Sequence, residues 1–346
     1  MPQTAPGSDK TRIVVIGGGT GSFTVLTGLK RYSIDLAAVV AMTDSGGSSG
    51  ILRDEFGHLP PGDVRQCLVA LTPDDRATEM LRHLFNYRFD KGAGLDGHSF
   101  GNLFLTALTE ITGSADRAIA EAGRILGIVG RVIPVTLTKS QLCARLVDGS
   151  EIVGEANIDV RKDGGNVRID YVYLTPKAFA NPVAVQALEA AHAIVIGPGD
   201  LYTSIIPNLL VEGVSEAIER SQGKRIYVCN LMTKHSESDG FKASDFVHEV
   251  LNYLGPRPKL DYVLLNNSPF PQKVLHRYAL QHAQPVAGDG ERCRQLVGAV
   301  VEAPLLAAGT LLRHDAAKLA AAIMAIATRE HQPAPAFPQP TAQPAD

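Results

Sequence analysis

The chain has no tryptophan, and 9 tyrosines and 11 phenylalanines in 346 residues offer no aromatic platform for single-stranded nucleic acid. Charge of one sign is lacking too. Lys and Arg number 33 against 36 Asp and Glu, a net charge of −3, which excludes a strongly basic nucleic-acid binder and an acidic disordered chain. Cys67, Cys143, Cys229 and Cys293 stand far apart with no C-x-x-C pair, so neither a zinc knuckle nor a redox dithiol is present. Three of the four sit in or beside apolar runs, as small buried hydrophobes do. No uninterrupted apolar stretch reaches about 18 residues, so no membrane span is expected. The first residues, MPQTAPGSDKTR, lack the apolar core of a signal peptide. A reducing, cytoplasmic setting is expected.

What the chain does have is glycine, 33 of them, mostly in loops that follow apolar runs. The runs 13–16, 36–42, 193–196, 226–229 and 262–265 are short, β-branched and unalternating, as strands buried on both faces of a parallel sheet are. Helix-period stretches at 23–32, 64–71, 102–111 and 211–220 lie between them. This alternation predicts a Rossmann-like, doubly wound α/β fold with a mostly parallel sheet. Residues 131–174 break the rhythm. Asp148-Gly149 is a hairpin signal between apolar runs, and Asp163-Gly164-Gly165 precedes an alternating run from Val167 to Tyr173. A small antiparallel β excursion inserted at about 131–174 is therefore expected. Residues 1–11 read as a loose tail, 12–331 as the ordered domain, and the Pro/Ala/Gln-rich 332–346 as a disordered tail.

The polar loops that follow the strands carry the candidate chemistry. Gly17-Gly18-Gly19-Thr20-Gly21-Ser22 joins a strand to a helix, where bare amides and a helix N-terminus favour an anion. It is neither a full dinucleotide fingerprint, since Ser22 stands at the last glycine position, nor a Walker A loop. Asp44, with Ser45, Gly46, Gly47 and Ser48, ends the second strand on one carboxylate, suited to a ribose hydroxyl or a divalent cation. After Pro60-Pro61, Asp63 reads as the N-cap of the next helix, with Arg65 one turn inside. Asp44 and Asp63 beside a phosphate make a plausible magnesium pair. His98 and Asn102 flank the start of another helix, without any Ser-His-Asp or G-x-S-x-G constellation. Gly197-Pro198-Gly199, Asn230 and Asn266 open three further loops. So many polar loops after buried runs predict one ligand crevice at the carboxyl edge of the sheet.

The strings GGGTGS, DSGGSSGILRDEFG, LPPGDVRQCLVAL, GHSFGNLFLTALTEITG, GPGDLYTSIIPNLL and NNSPFP resemble the 2-phospho-L-lactate transferase superfamily. Within it the chain looks most like the gluconeogenesis-factor branch, over about residues 12–327. The resemblance implies a Rossmann-like fold with a nucleotide-type ligand. In the transferases a phospholactyl-type group passes from a guanosine diphosphate conjugate to a deazaflavin, with magnesium held by aspartates. The matching positions here are Asp44 and Asp63. Ser45 departs from the branch, where a second Asp often follows the first. The GGSSG run favours the gluconeogenesis-factor branch, which is associated with UDP-sugar binding and regulation of cell-wall and carbon metabolism.

Two late residues look like parts of the branch's UDP-sugar segments: Tyr278, suited to stack a uracil, and Arg313, suited to a pyrophosphate. The expectation is a cytoplasmic UDP-sugar-binding regulator that links carbon metabolism to cell-wall synthesis and cell shape. Its expected partners are a nucleotide-sugar ligand and regulatory proteins, with self-association open and no nucleic acid. The alternative is a magnesium-dependent transferase of the phospholactate type. An NAD-dependent oxidoreductase is disfavoured by Ser22.

Overall fold

The computed structural model describes residues 10–92, 94–161 and 165–329. The expected C-terminal tail, most of the N-terminal one, and Asp163-Gly164 of the second turn lie outside the described residues. Among the described residues ten strands run in chain order: β1 (Arg12–Gly17), β2 (Asp35–Val40), β3 (Arg131–Pro134), β4 (Gln141–Leu146), β5 (Glu151–Val153), β6 (Ile169–Thr175), β7 (Ala193–Ile196), β8 (Lys224–Val228), β9 (Tyr262–Asn266) and β10 (Ala299–Ala303). Seven form one sheet in the order β10-β9-β8-β7-β1-β2-β3, every pair parallel. This is the Rossmann-like α/β architecture that the alternating runs predict.

β-branched residues fill the middle of this sheet because both faces are covered. Ile13, Val14, Val15 and Ile16 of β1 are at most 2% exposed, and Ala193 to Ile196 of β7 are fully buried. Burial at this level stabilises by roughly 1.5–3 kcal/mol per large aliphatic side chain. The same pattern fixes strand polarity, since parallel strands need crossovers, and helices such as Gly19–Leu29 and Val214–Arg220 supply them. After β1 the chain winds outward through β2 to β3, then returns to the other side of β1 with β7. The switch point therefore falls between β1 and β7, and their carboxyl ends are where a ligand is received in such sheets.

The second sheet has three antiparallel strands in the order β5-β4-β6. Asp148 closes the β4–β5 hairpin by accepting the Ser150 amide at 2.9 Å, with Gly149 at φ +85°. The excursion begins later than the sequence pattern indicates, because β3 pairs in parallel with β2 and forms one edge of the large sheet. Val132 and Ile133 are buried on both sides, and a buried run does not reveal which sheet it joins. A short helix, Glu155–Asp159, follows β5 and carries this small sheet back toward the carboxyl edge of the large one. No helix of the described residues is long and apolar enough to cross a membrane. All four cysteines are buried free thiols.

Candidate functional site

The loop after β1 and the loop after β7 lock together. A Cβ on Gly21 would lie 1.9 Å from the Pro198 carbonyl oxygen, so only glycine lets the helix Gly19–Leu29 start against Gly197-Pro198-Gly199. Gly18 is that helix's N-cap residue and Thr20 lies in its first turn. Gly19, at φ +60°, donates its amide to Asp63 Oδ1 at 2.9 Å. Asp63 is therefore not the N-cap of its own helix. That helix, Gly62–Leu71, starts two residues earlier, from Pro61 as its N-cap, and the carboxylate in its first turn reaches across to the glycine loop.

Asp44 turns back on its own loop, with Oδ1 accepting the Gly46 amide at 3.0 Å. It lies near enough to Asp63 to raise its pKa. Burial chiefly, then the Asp44 charge, lift the Asp63 carboxyl from 3.8 to about 7, against the Gly19 amide and the Arg65 guanidinium. Two carboxylates that repel each other suit a hard divalent cation, and magnesium accepts such a set. Arg65 Nε donates to Asn102 Oδ1 at 3.1 Å and Nη1 to Asn86 Oδ1 at 2.8 Å. Asn102 Nδ2 in turn donates to Ser48 at 3.2 Å and Ser49 at 3.3 Å, and Ser48 Oγ lies 3.1 Å from His98 Nδ1. Gly47 and Ser48 open the helix Gly47–Phe56, and Ser99 caps the helix Phe100–Thr112 by accepting the Asn102 amide. Asp44, Asp63, Arg65, Ser48, His98 and Asn102 thus form one polar network of three segments.

Across the edge, Asn230 after β8 donates to the Gly199 carbonyl at 2.8 Å, while its Oδ1 is buried with no partner among the described residues. The neighbouring Leu231 packs with Tyr278 and Leu312. Tyr278 accepts the Leu312 amide at 3.0 Å through its hydroxyl, with the Arg277 guanidinium 5.8 Å from its ring centre. Arg313 follows, exposed. Asn266 at the end of β9 makes its contacts within the protein: Oδ1 accepts the Ser268 and Leu305 amides at 3.2 and 3.0 Å, and Nδ2 donates to the Ser268 carbonyl. It braces two loops of the edge.

Sequence reading missed the acids delivered by the inserted sheet. Glu155 accepts the Ser45 amide at 3.2 Å, and Ser45 Oγ accepts the Ala156 amide at 2.9 Å, so Ser45 ties the insertion to the Asp44 loop. Burial first, then the charges of Asp44, Asp159 and Asp63, push the Glu155 carboxyl up to about 8, against the Ser45 amide. Lys234 bridges Asp159, Asp200 Oδ2 at 2.8 Å and Glu237 Oε1 at 2.8 Å. Burial holds Glu237 up to about 7 despite this lysine. For Lys234, burial pulls downward but the three carboxylates outweigh it and hold the ammonium above its ordinary range. Glu155 and Asp159 follow no parallel strand, so loop position along the sequence gave no signal for them. A separate cavity of about 630 Å³ beside β3, lined by Ile119, Ile128, Val132 and Ile133, contains none of the edge residues.

A doubly wound parallel sheet with interlocked glycine loops and an acid pair at its switch point defines a Rossmann-like α/β protein. The chain belongs to the 2-phospho-L-lactate transferase CofD family, whose sequence model matches residues 13–306. It is 40% identical to the gluconeogenesis factor of Halalkalibacterium halodurans over 91% of this chain and 96% of that one. The gluconeogenesis factor of Bacillus subtilis is 37% identical, over 91% of this chain and 98% of its own length. A crystal structure of a Bacillus halodurans protein superposes with a TM-score of 0.86 at 40% identity, covering 91% of this chain and 99% of that one. Family and branch are those that the loop motifs resemble.

Proposed function

We propose that the chain is a cytoplasmic regulatory protein that binds a UDP-sugar at the carboxyl edge and links carbon metabolism to cell-wall synthesis and cell shape. The observation that carries this reading is the interlocking of the Gly17–Gly21 and Gly197–Gly199 loops, two amide-rich turns side by side at the switch point. Amides at a helix start hold a pyrophosphate without a large net positive charge. Gly46, Gly47 and Ser48 would extend that cradle, with Arg65, His98 and Asn102 behind it and Asn230 between the two halves. Arg313 would pair with the pyrophosphate from the far side. Tyr278, whose hydroxyl fixes the Leu312 amide, would place its ring against the uracil. Magnesium, where bound, would be held by Asp44 and Asp63 and would neutralise phosphate charge. Regulatory partners would read the liganded state of these loops.

Calorimetry of UDP-N-acetylglucosamine against GDP tests the proposal, with Tyr278→Ala and Arg313→Ala beside the parent. Binding of the UDP-sugar by the parent, weakened in both variants, is the expected result. Failure of the parent to bind it refutes the reading.

The Asp44–Asp63 pair, with Asp63 held near neutrality, favours one second reading: magnesium-dependent transfer of a phospho-acyl group from a guanosine diphosphate conjugate to a deazaflavin. Incubation of the chain with conjugate, deazaflavin and magnesium then releases GMP, and Asp44→Asn abolishes the release. No GMP means no transferase.

A further inference from the structure

Behind the Asp44–Asp63 network lies a cavity of about 240 Å³ that shares no residue with the glycine loops. Its basic lining residues are Arg53, His58 and Lys139, with no acid among them. Lys139 pairs with no carboxylate among the described residues; its ammonium stands 3.7 Å from where a Cβ on Gly57 would sit. Arg53 holds Asp54 at 2.8 Å, but that carboxylate is 67% exposed. His58 meets Glu110, whose side chain is 57% exposed, at 2.5 Å. Pairs of this exposed kind contribute little, about 0–1 kcal/mol, so a better-enclosed anion can displace them.

Arg53 and Lys139 also stand at the carboxyl end of the helix Gly47–Phe56, where cations offset the helix dipole. That role does not account for Ser140. Ser140 belongs to the cavity lining, and its hydroxyl oxygen is buried beneath that surface with no hydrogen-bond partner among the described residues. A buried hydroxyl without a partner costs about 1–3 kcal/mol, a penalty that a bound acceptor removes. The remaining wall is apolar, with Met42, Leu59, Pro60 and Pro176. The volume is below the roughly 300–1,000 Å³ typical of sites for drug-sized ligands, so the occupant is smaller than a nucleotide.

We propose that this cavity is a second ligand site, for a small organic phosphate. Lys139, Arg53 and the Ser140 hydroxyl would donate to the phosphoryl oxygens, and the apolar wall would cover a short carbon skeleton. The site is independent of the UDP-sugar reading. Its position gives it reach, because Met42 lies two residues before Asp44 and the 57–61 segment leads directly to Asp63.

The test is calorimetry of the full chain at fixed ionic strength with glycerol 3-phosphate, inorganic phosphate and glycerol. Saturable binding of glycerol 3-phosphate is expected, with inorganic phosphate weaker and glycerol silent. Lys139→Gln and Ser140→Ala should each weaken binding by about tenfold, the size of one hydrogen bond to a charged group. Arg65→Gln, in the neighbouring network, should keep it. Ser140→Ala removes only an unsatisfied hydroxyl, so its fold is secure even if Lys139→Gln proves unstable. The proposal is overturned if the parent binds no glycerol 3-phosphate, or if both cavity variants bind like the parent. Loss in Arg65→Gln alone overturns it as well, since the anion then sits at the glycine loops.

Discussion

Replacing Asp63 by Asn should stabilise the metal-free protein at alkaline pH. The Asp63 carboxyl rises from 3.8 to about 7 on folding, because it is half-buried and faces Asp44. Between those values the native state holds a proton that the unfolded chain has released, so stability is fully present below about pH 4 and is lost as pH rises through 7. Three pKa units at about 1.4 kcal/mol each set an upper limit on the order of 4 kcal/mol. Asp63 is partly exposed at the edge, and water there screens the repulsion, so about 2 kcal/mol is the expected gain at pH 8. Asn keeps an oxygen to accept the Gly19 amide, so the loop contact survives. The assay is urea unfolding of parent and variant at pH 5 and pH 8, each with EDTA and with magnesium chloride. The parent should lose stability from pH 5 to pH 8 with EDTA, and magnesium should restore part of it. The variant should lose less and gain nothing from magnesium. It will still show some slope, since Glu155 and Glu237 are raised to about 8 and about 7. A variant less stable than the parent at pH 8, or an unchanged pH slope, refutes the reasoning.

Three further outcomes follow from packing and charge. Gly21→Ala should cost about 2–3 kcal/mol in urea unfolding, because its Cβ would fall 1.9 Å from the Pro198 carbonyl and two backbones must separate. Lys234→Met leaves Asp159, Asp200 and Glu237 within 4.8 Å of one another without their cation, a loss of about 3 kcal/mol at pH 8. The same variant should be less impaired at pH 5, where Glu237 carries a proton, and equal losses at both pH values contradict the account. Tyr278→Phe retains the ring but leaves the Leu312 amide unpaired, so stability should fall by about 1 kcal/mol, and UDP-N-acetylglucosamine should bind more weakly than to the parent but better than to Tyr278→Ala.

The five buried runs, alternating with helix-period stretches, were enough to predict the sheet class and its parallel sense, because helical crossovers join parallel strands and cover both faces of their sheet. β10 escaped that reading: Ala299 to Val301 are only partly buried and Glu302 is exposed, so the run lacks the signature of an interior strand. Glycine position was equally readable, since a turn that touches another backbone tolerates little else. The spacing of Asp63 after Pro60-Pro61 fits an N-cap as well as an acid turned outward. Only the approach of Gly19 from forty-four residues away separates the two.

By itself, then, the sequence determined the Rossmann-like class, the loops at the strand ends and the family, all of which rest on local period and contiguous motif. Tertiary structure alone decided that the inserted sheet brings Glu155 and Asp159 to the same edge, and that Lys234 joins three segments there. It also decided that Asn266 braces loops and that the Ser140 hydroxyl is buried beside a cavity with no partner among the described residues. The physical reason is range. Strand and turn preferences act between near neighbours, whereas charge repulsion, desolvation and hydrogen-bond satisfaction depend on which distant residues the fold brings within a few ångströms.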